Sequence, residues 1–380
     1  MKPVIVAIGY NRKLPLLRLL TSLEEADYGE DEQAVTLIIS LDYSGNQNLV
    51  EMANDFQWSH GEKKVRTFEV NQGLKKHVMS CIDYSLQYGA VIIFEDDIVA
   101  SPAYYNYIKQ ALEYYKNDKR IAEIALYNQT RHDFANREFI PMNNGYDVYA
   151  TKKNCSWGQC IIGERWREFR EWYSEHNGEL EYHRDVPAQV LSWKNSWCKY
   201  FNYYLDTHDR YVIEPHISLS TNFNDEGTHI MCQDNGFQVP ILAGQKKWNF
   251  GSLEQLPMYD DYMENVKLKE ELSARYGKEV CIDFYGSRGN REEYDLCLSS
   301  AILPYHIVEK FGLEMRPYEL NVMYNVPGDG IRIYDMRKPC KYKKDWKQHY
   351  RYVKYEIKTL PVEEGLFLYL YQKILRYLKK

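Results

Sequence analysis

Several patterns that would assign the chain to a common class of protein are missing from the sequence. No apolar run approaches the ~18 residues of a membrane-spanning helix. The start, Met1-Lys2 followed at once by an apolar segment, lacks the pattern of a secretory signal peptide. The eight cysteines are scattered without a Cys-x-x-Cys pair, which disfavours both a zinc site and a disulfide framework. These absences predict a cytoplasmic protein.

Glycine-rich phosphate-binding loops are missing too. The sequence contains neither Gly-x-Gly-x-x-Gly nor Gly-Lys-Ser/Thr, the patterns that hold phosphates through backbone N–H groups. A nucleotide bound by this chain must therefore be held through a metal ion and side chains.

The charge is unevenly distributed along the chain. Its 380 residues, 44% of them hydrophobic, carry a net charge of −6. Residues 336–380 contain 13 Lys and Arg against 4 Asp and Glu, so this tail carries +9 and the remainder −15. The asymmetry predicts that the tail meets an acidic partner. Nucleic acid is not expected, because the acidic remainder would repel it.

The most informative stretch is the apolar run of residues 91–94, which ends in Glu95-Asp96-Asp97. Four β-branched and aromatic residues in a row are typical of a strand buried on both faces. Ligands of α/β proteins gather at the carboxyl ends of such strands, and carboxylates together with substrate phosphates bind Mg²⁺ or Mn²⁺. The stretch therefore predicts a metal–nucleotide site. The alternative is a strand that runs into an acidic, solvated turn.

Strands and helices alternate over the first hundred residues. Pro3–Ile8, Val35–Asp42 and Lys64–Val70 have the composition of strands, with helical patterns between them. This alternation predicts an α/β fold with a mostly parallel sheet and right-handed crossovers. Further along, we expect helices over Pro187–Leu205 and Glu292–Leu303.

Several motifs, taken in chain order, resemble those of GT-A-fold nucleotide-sugar glycosyltransferases. In motif layout they are most similar to bacterial polysaccharide glycosyltransferases and to the N-acetylglucosaminyltransferase that initiates N-glycan branching. The resemblance covers roughly residues 3–235 and implies a GT-A, Rossmann-like fold. The motifs are Ala7–Arg12, Ser40–Asp42, His77, Phe94–Asp97, Ser156–Gly158, Glu214–Pro215 and Gly227–His229.

The resemblance implies roles for individual residues. Glu95-Asp96-Asp97 would be a variant of the Asp-x-Asp motif, with Asp97 as ligand of Mn²⁺ or Mg²⁺ and His229 completing the metal shell. The implied nucleotide-sugar-binding residues are Arg12, Asp42, His77, Glu95 and Asp96; Arg12 and Asp42 would frame the uridine, and His77 would lie near the diphosphate. Trp157 and Gly158 would form the acceptor side.

Structural interpretations of the same residues stay open. Asp42 is also explained by an Asx-turn into Ser44-Gly45. His77 is also explained as a structural histidine, Trp157 as a core residue, and Arg12 as a surface residue.

The general base has no direct counterpart in the sequence. The relatives place an acid directly before a Trp near the helix that follows the Trp-Gly stretch. The corresponding residues here are Asn195-Ser196-Trp197, and neither Asn nor Ser can accept the proton. Asp185 is the substitute candidate, followed by Asp225 and Glu226. The alternative is that Asp185 is an ordinary acid near a helix start.

The chain's own residues predict a metal–nucleotide site, and the resemblance implies a metal-dependent hexosyl- or N-acetylhexosaminyltransferase. It would move a sugar from a UDP-sugar, with inversion, to a saccharide or lipid-linked saccharide in surface polysaccharide or glycan synthesis. Two alternatives remain: a nucleotidyltransferase that makes an activated sugar, and a non-catalytic sugar-binding relative. We expect a GT-A catalytic domain over residues 1–238, a C-terminal α+β extension of unknown role over 239–335, and the basic, aromatic-rich tail over 336–380.

The tail ends in a predicted amphipathic helix. Phe367, Leu370, Tyr371, Ile374 and Leu378 fall on one helical face, and Lys and Arg lie mainly on the other. Such a helix lies in a membrane interface, so an anionic surface, the inner face of the membrane, is an expected partner. The alternative is a terminal helix that packs on the protein itself.

Overall fold

The computed structural model describes residues 2–223, 225–226, 236–341, 346–356 and 362–378. The chain forms two compact units: residues 1–134, 139–270 and 288–290 make the first, and residues 135–138, 271–287 and 291–380 make the second. The predicted division into a catalytic domain over residues 1–238, an extension over 239–335 and a tail over 336–380 stays a prediction.

The strands and helices are numbered in chain order. The strands are β1 Val4–Gly9, β2 Leu37–Leu41, β3 Lys63–Thr67, β4 Ala90–Glu95, β5 Ile98–Ala100, β6 Ile121–Ala125, β7 Arg131–His132, β8 Arg137–Glu138, β9 Val148–Thr151, β10 Gln159–Ile162, β11 Tyr211–Pro215, β12 Ser220–Asn222, β13 Met258–Tyr259, β14 Val280–Ile282, β15 Leu296–Ser299, β16 Tyr305–Phe311 and β17 Ile331–Pro339. The helices are α1 Lys13–Glu24, α2 Gln47–Asp55, α3 Leu74–Ile82, α4 Tyr84–Tyr88, α5 Tyr104–Tyr115, α6 Gly163–Glu175, α7 Ala188–Leu191, α8 Trp197–Thr207, α9 Val266–Tyr276, α10 Tyr318–Met323, α11 Trp346–Glu356 and α12 Val362–Leu378.

The first unit is built on a nine-stranded sheet in the order β13-β9-β11-β6-β10-β4-β1-β2-β3. The strands β3, β2, β1 and β4 are parallel neighbours, and β10 inserts antiparallel between β4 and β6. Parallel pairs predominate, so the predicted α/β fold with a mostly parallel sheet is confirmed. The acidic stretch lies at the end of β4, near the centre of this sheet.

Helices cover both faces of the sheet, which explains the continuous apolar runs in its central strands. Alternate residues of β1 point to opposite faces. Ile5 and Ala7 pack in the core that contains α1 and α5, whereas Val4 and Val6 pack with α3, α6 and α8. Because helices pack on both faces of β1 and β4, the loops that follow these strands start from fixed positions.

Gly163 at the start of α6 has no space for a side chain. A Cβ atom there would lie 2.2 Å from the carbonyl oxygen of Ser85 and 3.0 Å from that of Gly89. We expect Gly163→Ala to lower the free energy of unfolding by about 1–3 kcal/mol, the usual cost of overpacking. Gly178→Ala is the matched control, since no atom lies within 4 Å of its Cβ position. Urea unfolding measures both; equal stability of the two variants would contradict the packing described here.

Two helix predictions are wrong. The predicted helix over Pro187–Leu205 is two helices, α7 and α8, because residues 192–196 interrupt it. Ser196 has extended backbone angles at the start of α8, a position that Ser favours. The predicted helix over Glu292–Leu303 is a short 3₁₀ helix followed by β15. In β15 three successive residues are fully buried, so tertiary packing overrides the helical pattern.

The second unit contains a four-stranded sheet in the order β14-β15-β17-β16, with α10, α11 and α12. Tyr355 of α11 is buried and donates a hydrogen bond to the carbonyl of Met315 at 2.7 Å. In α12 the side chains of Phe367, Leu370 and Ile374 are exposed to 65%, 50% and 56%. None of the helices in the described part of the chain is both long and apolar enough to cross a membrane.

Candidate functional site

The acidic stretch forms a fixed turn at the carboxyl end of β4. Glu95 is the last residue of β4, Asp96 and Asp97 make the turn, and β5 then pairs antiparallel with β12. The carbonyl oxygen of Asp97 accepts a hydrogen bond from the backbone N–H of Phe223 at 2.9 Å. The acids are therefore held by two neighbouring segments and are not part of a freely solvated loop.

Arg12 is the cationic partner of these acids. Its Nε donates to Asp96 Oδ2 at 3.2 Å and its Nη2 to Asp97 Oδ2 at 3.1 Å. Its Nη1 also donates to the carbonyl oxygen of Asp225 at 3.0 Å. Arg12 lies close to these acids because it comes three residues after the end of β1, and β1 is the parallel neighbour of β4. Charged hydrogen bonds of this kind are stronger than neutral ones.

Burial and mutual repulsion change the protonation of the cluster. Burial, followed by the charges of Asp97 and Asp96, raises the pKa of Glu95 to about 8. Burial also raises the pKa of Asp96, against the opposing hydrogen bond and charge of Arg12. Glu95 therefore holds a proton near neutral pH, so the three acids together carry less than three negative charges.

A cleft of about 760 Å³ opens at this edge of the sheet, within the range of small-molecule sites. It brings together seven of the ten site residues predicted from the sequence, whereas Asp185 is absent from its lining and His229 lies outside the described residues. Gly158 follows Trp157 directly. The seven are Arg12, Asp42, His77, Glu95, Asp96, Asp97 and Trp157.

Asp42 organises a loop as well as lining the cleft. Its Oδ1 accepts hydrogen bonds from the backbone N–H groups of Tyr43 and Gln72, both at 2.8 Å, and its Oδ2 accepts one from Gly73 at 3.0 Å. The carboxylate thus fixes the segment that leads into α3. A uridine contact of Asp42 stays a prediction.

His77 is neutral and nearly buried. Its Nε2 lies 2.8 Å from Ser40 Oγ, and its ring meets Phe68 edge-on. Burial lowers the pKa of His77 to about 4. At neutral pH it can therefore offer a diphosphate a hydrogen bond but no positive charge.

Asp185 is engaged elsewhere in the first unit. Its carboxylate lies 3.1 Å from Lys269 Nζ and 3.8 Å from Arg288 Nη1. A role of Asp185 as general base stays a prediction. Asp225 and Glu226, the other candidates, do line the cleft.

Trp157 lines the cleft, and Gly158 follows it in the chain. The Trp157 ring packs edge-on against Tyr127, with centroids 4.8 Å apart, and lies tilted against Phe237 at the same centroid distance. Gly158 has φ of +95°, and a Cβ there would lie 3.0 Å from Ser220 Oγ. The positive φ and the close contact both require glycine. Acceptor binding by these two residues stays a prediction.

Sequence reasoning missed Arg18 and Phe223. The guanidinium of Arg18 is paired with Asp225 and lies 3.8 Å from the centroid of the Phe223 ring. These contacts fix the segment that closes one side of the cleft. No local pattern could reveal them, because Arg18 and Asp225 are 207 positions apart.

The donor atoms at this edge fit a metal ion that shares its ligands with a phosphate. Asp97 and Asp225 line the cleft, where the Asp225 carboxylate is paired with Arg18, and Mg²⁺ is often bound by one or two carboxylates plus substrate phosphates. The described residues contain no group of three His, Cys, Asp or Glu side chains arranged to hold a metal by themselves. A site made of protein ligands alone therefore does not fit these residues.

Other buried groups in the first unit also have displaced pKa values. Burial raises the pKa of Glu123 to about 8 and that of Glu214 to about 7. Burial lowers the pKa of each of the histidines His77, His132 and His216 to about 4. The two sets have opposite effects on stability while the unfolded-state histidines, with a pKa of 6.5, still titrate, and at higher pH the acids set the slope.

We therefore expect the free energy of unfolding to fall as the pH rises from 6.5 to 8. In that window Glu95, Glu123 and Glu214 still bind protons in the native state, whereas their unfolded-state pKa is 4.5. The loss should be about 1 kcal/mol for each of these acids. Urea unfolding at several pH values measures it, and Glu123→Gln should flatten the slope. Stability that rises over this window would contradict the assignment of these protons.

Comparison with known proteins finds one family that matches the first part of the chain. Residues 4–174, from β1 to α6, match the family described as Glycosyl transferase family 2. No curated protein matches the chain.

Solved structures with similar folds share little sequence with the chain. One is a mannosyltransferase from Pyrobaculum calidifontis in complex with GDP-Man and Mn²⁺, at 12% identity over 57% of this chain and 55% of that chain, with a TM-score of 0.34. Another is TarS 1-349 of S. aureus in complex with UDP-GlcNAc, at 14% identity over 60% of both chains and a TM-score of 0.36. A third is a putative glucose-1-phosphate thymidylyltransferase from Bacillus anthracis, at 13% identity over 58% of this chain and 89% of that chain, with a TM-score of 0.35.

The first two of these matches span only 55% and 60% of the solved chains. The family match agrees with the acidic turn and the mostly parallel sheet, and it confirms the resemblance read from the sequence motifs. Residues 4–174 therefore match glycosyl transferase family 2, and the mostly parallel α/β sheet of the first unit agrees with the GT-A fold.

Proposed function

We propose that the chain transfers a sugar from a UDP-sugar to a saccharide or lipid-linked saccharide, with inversion, in surface polysaccharide or glycan synthesis. The observation that carries this proposal is the meeting of Arg12 with Asp96 and Asp97 in a cleft of a family 2 glycosyltransferase domain. The cleft lies at the carboxyl ends of β1, β2 and β4, where α/β proteins bind nucleotides.

Departure of the nucleoside diphosphate is the step that this cleft assists. A guanidinium binds phosphate oxygens with two parallel hydrogen bonds, so Arg12 supplies positive charge where the leaving group becomes more negative. Asp97, with Asp225 nearby, would hold Mn²⁺ or Mg²⁺, which when bound neutralises diphosphate charge. His77, being neutral, would add a hydrogen bond.

Activation of the acceptor hydroxyl requires a base within hydrogen-bond reach. Asp185 is the base that the sequence layout proposes, and its ion pairs with Lys269 and Arg288 oppose that role. Asp225 and Glu226 are the alternatives, because both line the cleft.

Two alternative functions are weighed against specific features of the chain. A nucleotidyltransferase would use the same acidic edge, but no glycine-rich loop follows β1. A non-catalytic sugar-binding protein is favoured by Asn195-Ser196, which offer no carboxylate before α8.

A panel of nucleotide sugars tests the proposal. Thermal shift and donor hydrolysis are measured with and without Mn²⁺. We expect one UDP-sugar to stabilise the protein and to be hydrolysed slowly, both only with the metal. Pyrophosphate release from a nucleoside triphosphate and a sugar 1-phosphate would instead indicate nucleotidyl transfer. Stabilisation without hydrolysis or transfer would indicate the non-catalytic protein.

We also propose that α12 docks the protein on an anionic membrane surface. Its exposed Phe367, Leu370 and Ile374 supply apolar area, and each Lys or Arg of the tail contributes about 1 kcal/mol near an anionic leaflet. We expect the full chain to float with anionic vesicles at low salt, and a chain that ends at Thr359 to float far less. If the full chain stays in the soluble fraction, the docking proposal is wrong.

A further inference from the structure

A second cavity of about 260 Å³ lies in the same unit and shares Trp157 with the donor cleft. Its size is near the lower end of small-molecule sites, and nothing proposed so far uses it. Aromatic side chains form much of its wall, including Trp157, Trp193 and Tyr149. Polar side chains, among them Glu214, Lys153 and Asp133, line the remainder.

The polar groups of this cavity are built into the sheet. Glu214 of β11 is directly opposite Tyr149 of β9, and it is only 4% exposed. The Tyr149 hydroxyl donates a hydrogen bond to Glu214 Oε2. A carboxyl group has about four acceptor positions when ionised and one O–H donor when protonated, so Glu214 can form further hydrogen bonds with hydroxyl groups of a ligand in either state.

The charges in the cavity select against an anionic ligand. Lys153 is the cation among its lining residues, and it forms an ion pair with Asp133. A phosphate or a uronate carboxylate would be buried near Glu214 with no uncompensated cation, which is costly. An uncharged ring with several hydroxyl groups would donate to Glu214 and Asp133 and place its apolar face against an indole.

We propose that this cavity binds an uncharged pyranose of the acceptor, with Trp157 as the wall shared with the donor site. This inference rests on the proposed function in one respect: the identification of the bound sugar as part of the acceptor. Because one side chain lines both cavities, a pyranose held there would lie next to the sugar of the donor. The site would favour neutral glycosides and reject their phosphorylated or uronic counterparts.

Saturation-transfer NMR on the full chain tests the inference. The probes are the methyl glycosides of glucose, galactose and N-acetylglucosamine, with glucose 6-phosphate and methyl glucuronide as anionic counterparts. We expect at least one neutral glycoside to bind, and both anionic sugars to bind at least about tenfold more weakly. Absence of binding by all neutral glycosides, or equal binding of the anionic ones, would overturn the proposal.

Substitutions in the wall of the second cavity test whether the glycoside binds there. Trp193→Ala and Glu214→Gln should each weaken the neutral glycoside about tenfold, and Trp346→Ala, at a tryptophan that is 65% exposed in the second unit, should not. Wild-type affinity in Trp193→Ala would place the sugar elsewhere. Calorimetry with UDP and Mn²⁺ on the same proteins separates the two proposals. Glycoside binding without UDP binding would refute the donor site and keep this one.

Discussion

Replacing Asp97 by Asn should abolish metal-dependent binding of UDP and lower sugar transfer by about 10²–10³-fold. The carboxylate charge is lost while the shape of the side chain is kept, so the turn between β4 and β5 should persist. Arg12 would still be paired with Asp96, which keeps the cluster charge-balanced. Calorimetry with UDP, in Mn²⁺ and in EDTA, measures the binding.

Asp55→Asn is the matched control for this variant. Asp55 is an exposed acid at the end of α2 in the same unit, so its removal changes the net charge equally but leaves the cleft intact. Unchanged UDP affinity in Asp97→Asn would show that this residue is no part of a metal–nucleotide site.

If Asp185 is the general base, Asp185→Asn should lower kcat by about 10²–10⁴-fold with donor affinity retained. The same change breaks the ion pair with Lys269, so a loss of stability could imitate a loss of catalysis. Lys269→Met is the control, since it breaks that pair and keeps the carboxylate. Steady-state kinetics and urea unfolding are measured on both.

Near-normal turnover of Asp185→Asn would show that another group is the general base. Asp225→Asn and Glu226→Gln would then be the next variants, because both residues line the cleft. Equal losses in Asp185→Asn and Lys269→Met would point to a structural role for the ion pair.

The central part of the site could be predicted from the sequence because the end of an apolar run marks the end of a buried strand. The apolar runs end at Gly9, Leu41 and Glu95, and parallel neighbours end at one edge of the sheet. Arg12, Asp42 and Asp97 therefore had to lie near one another. Their order in the chain was enough to show the resemblance to glycosyltransferases, with which the family match over residues 4–174 agrees.

Contacts between distant segments could not be predicted in this way. The second cavity depends on β9 pairing with β11, and nothing in either strand specifies that partner. The break between α7 and α8 depends on where Ser196 begins a new helix. In the second unit, β15 is a strand because β14 and β17 pair with its two edges, although its local pattern indicates a helix.

A crystal structure of the full chain grown with UDP and Mn²⁺ is the most direct measurement of the central claim, that the cleft at the ends of β1 and β4 is the donor site. We expect the diphosphate to lie against Arg12 and the metal ion to contact Asp97. A nucleotide bound elsewhere on the protein, with this cleft empty, would contradict the claim.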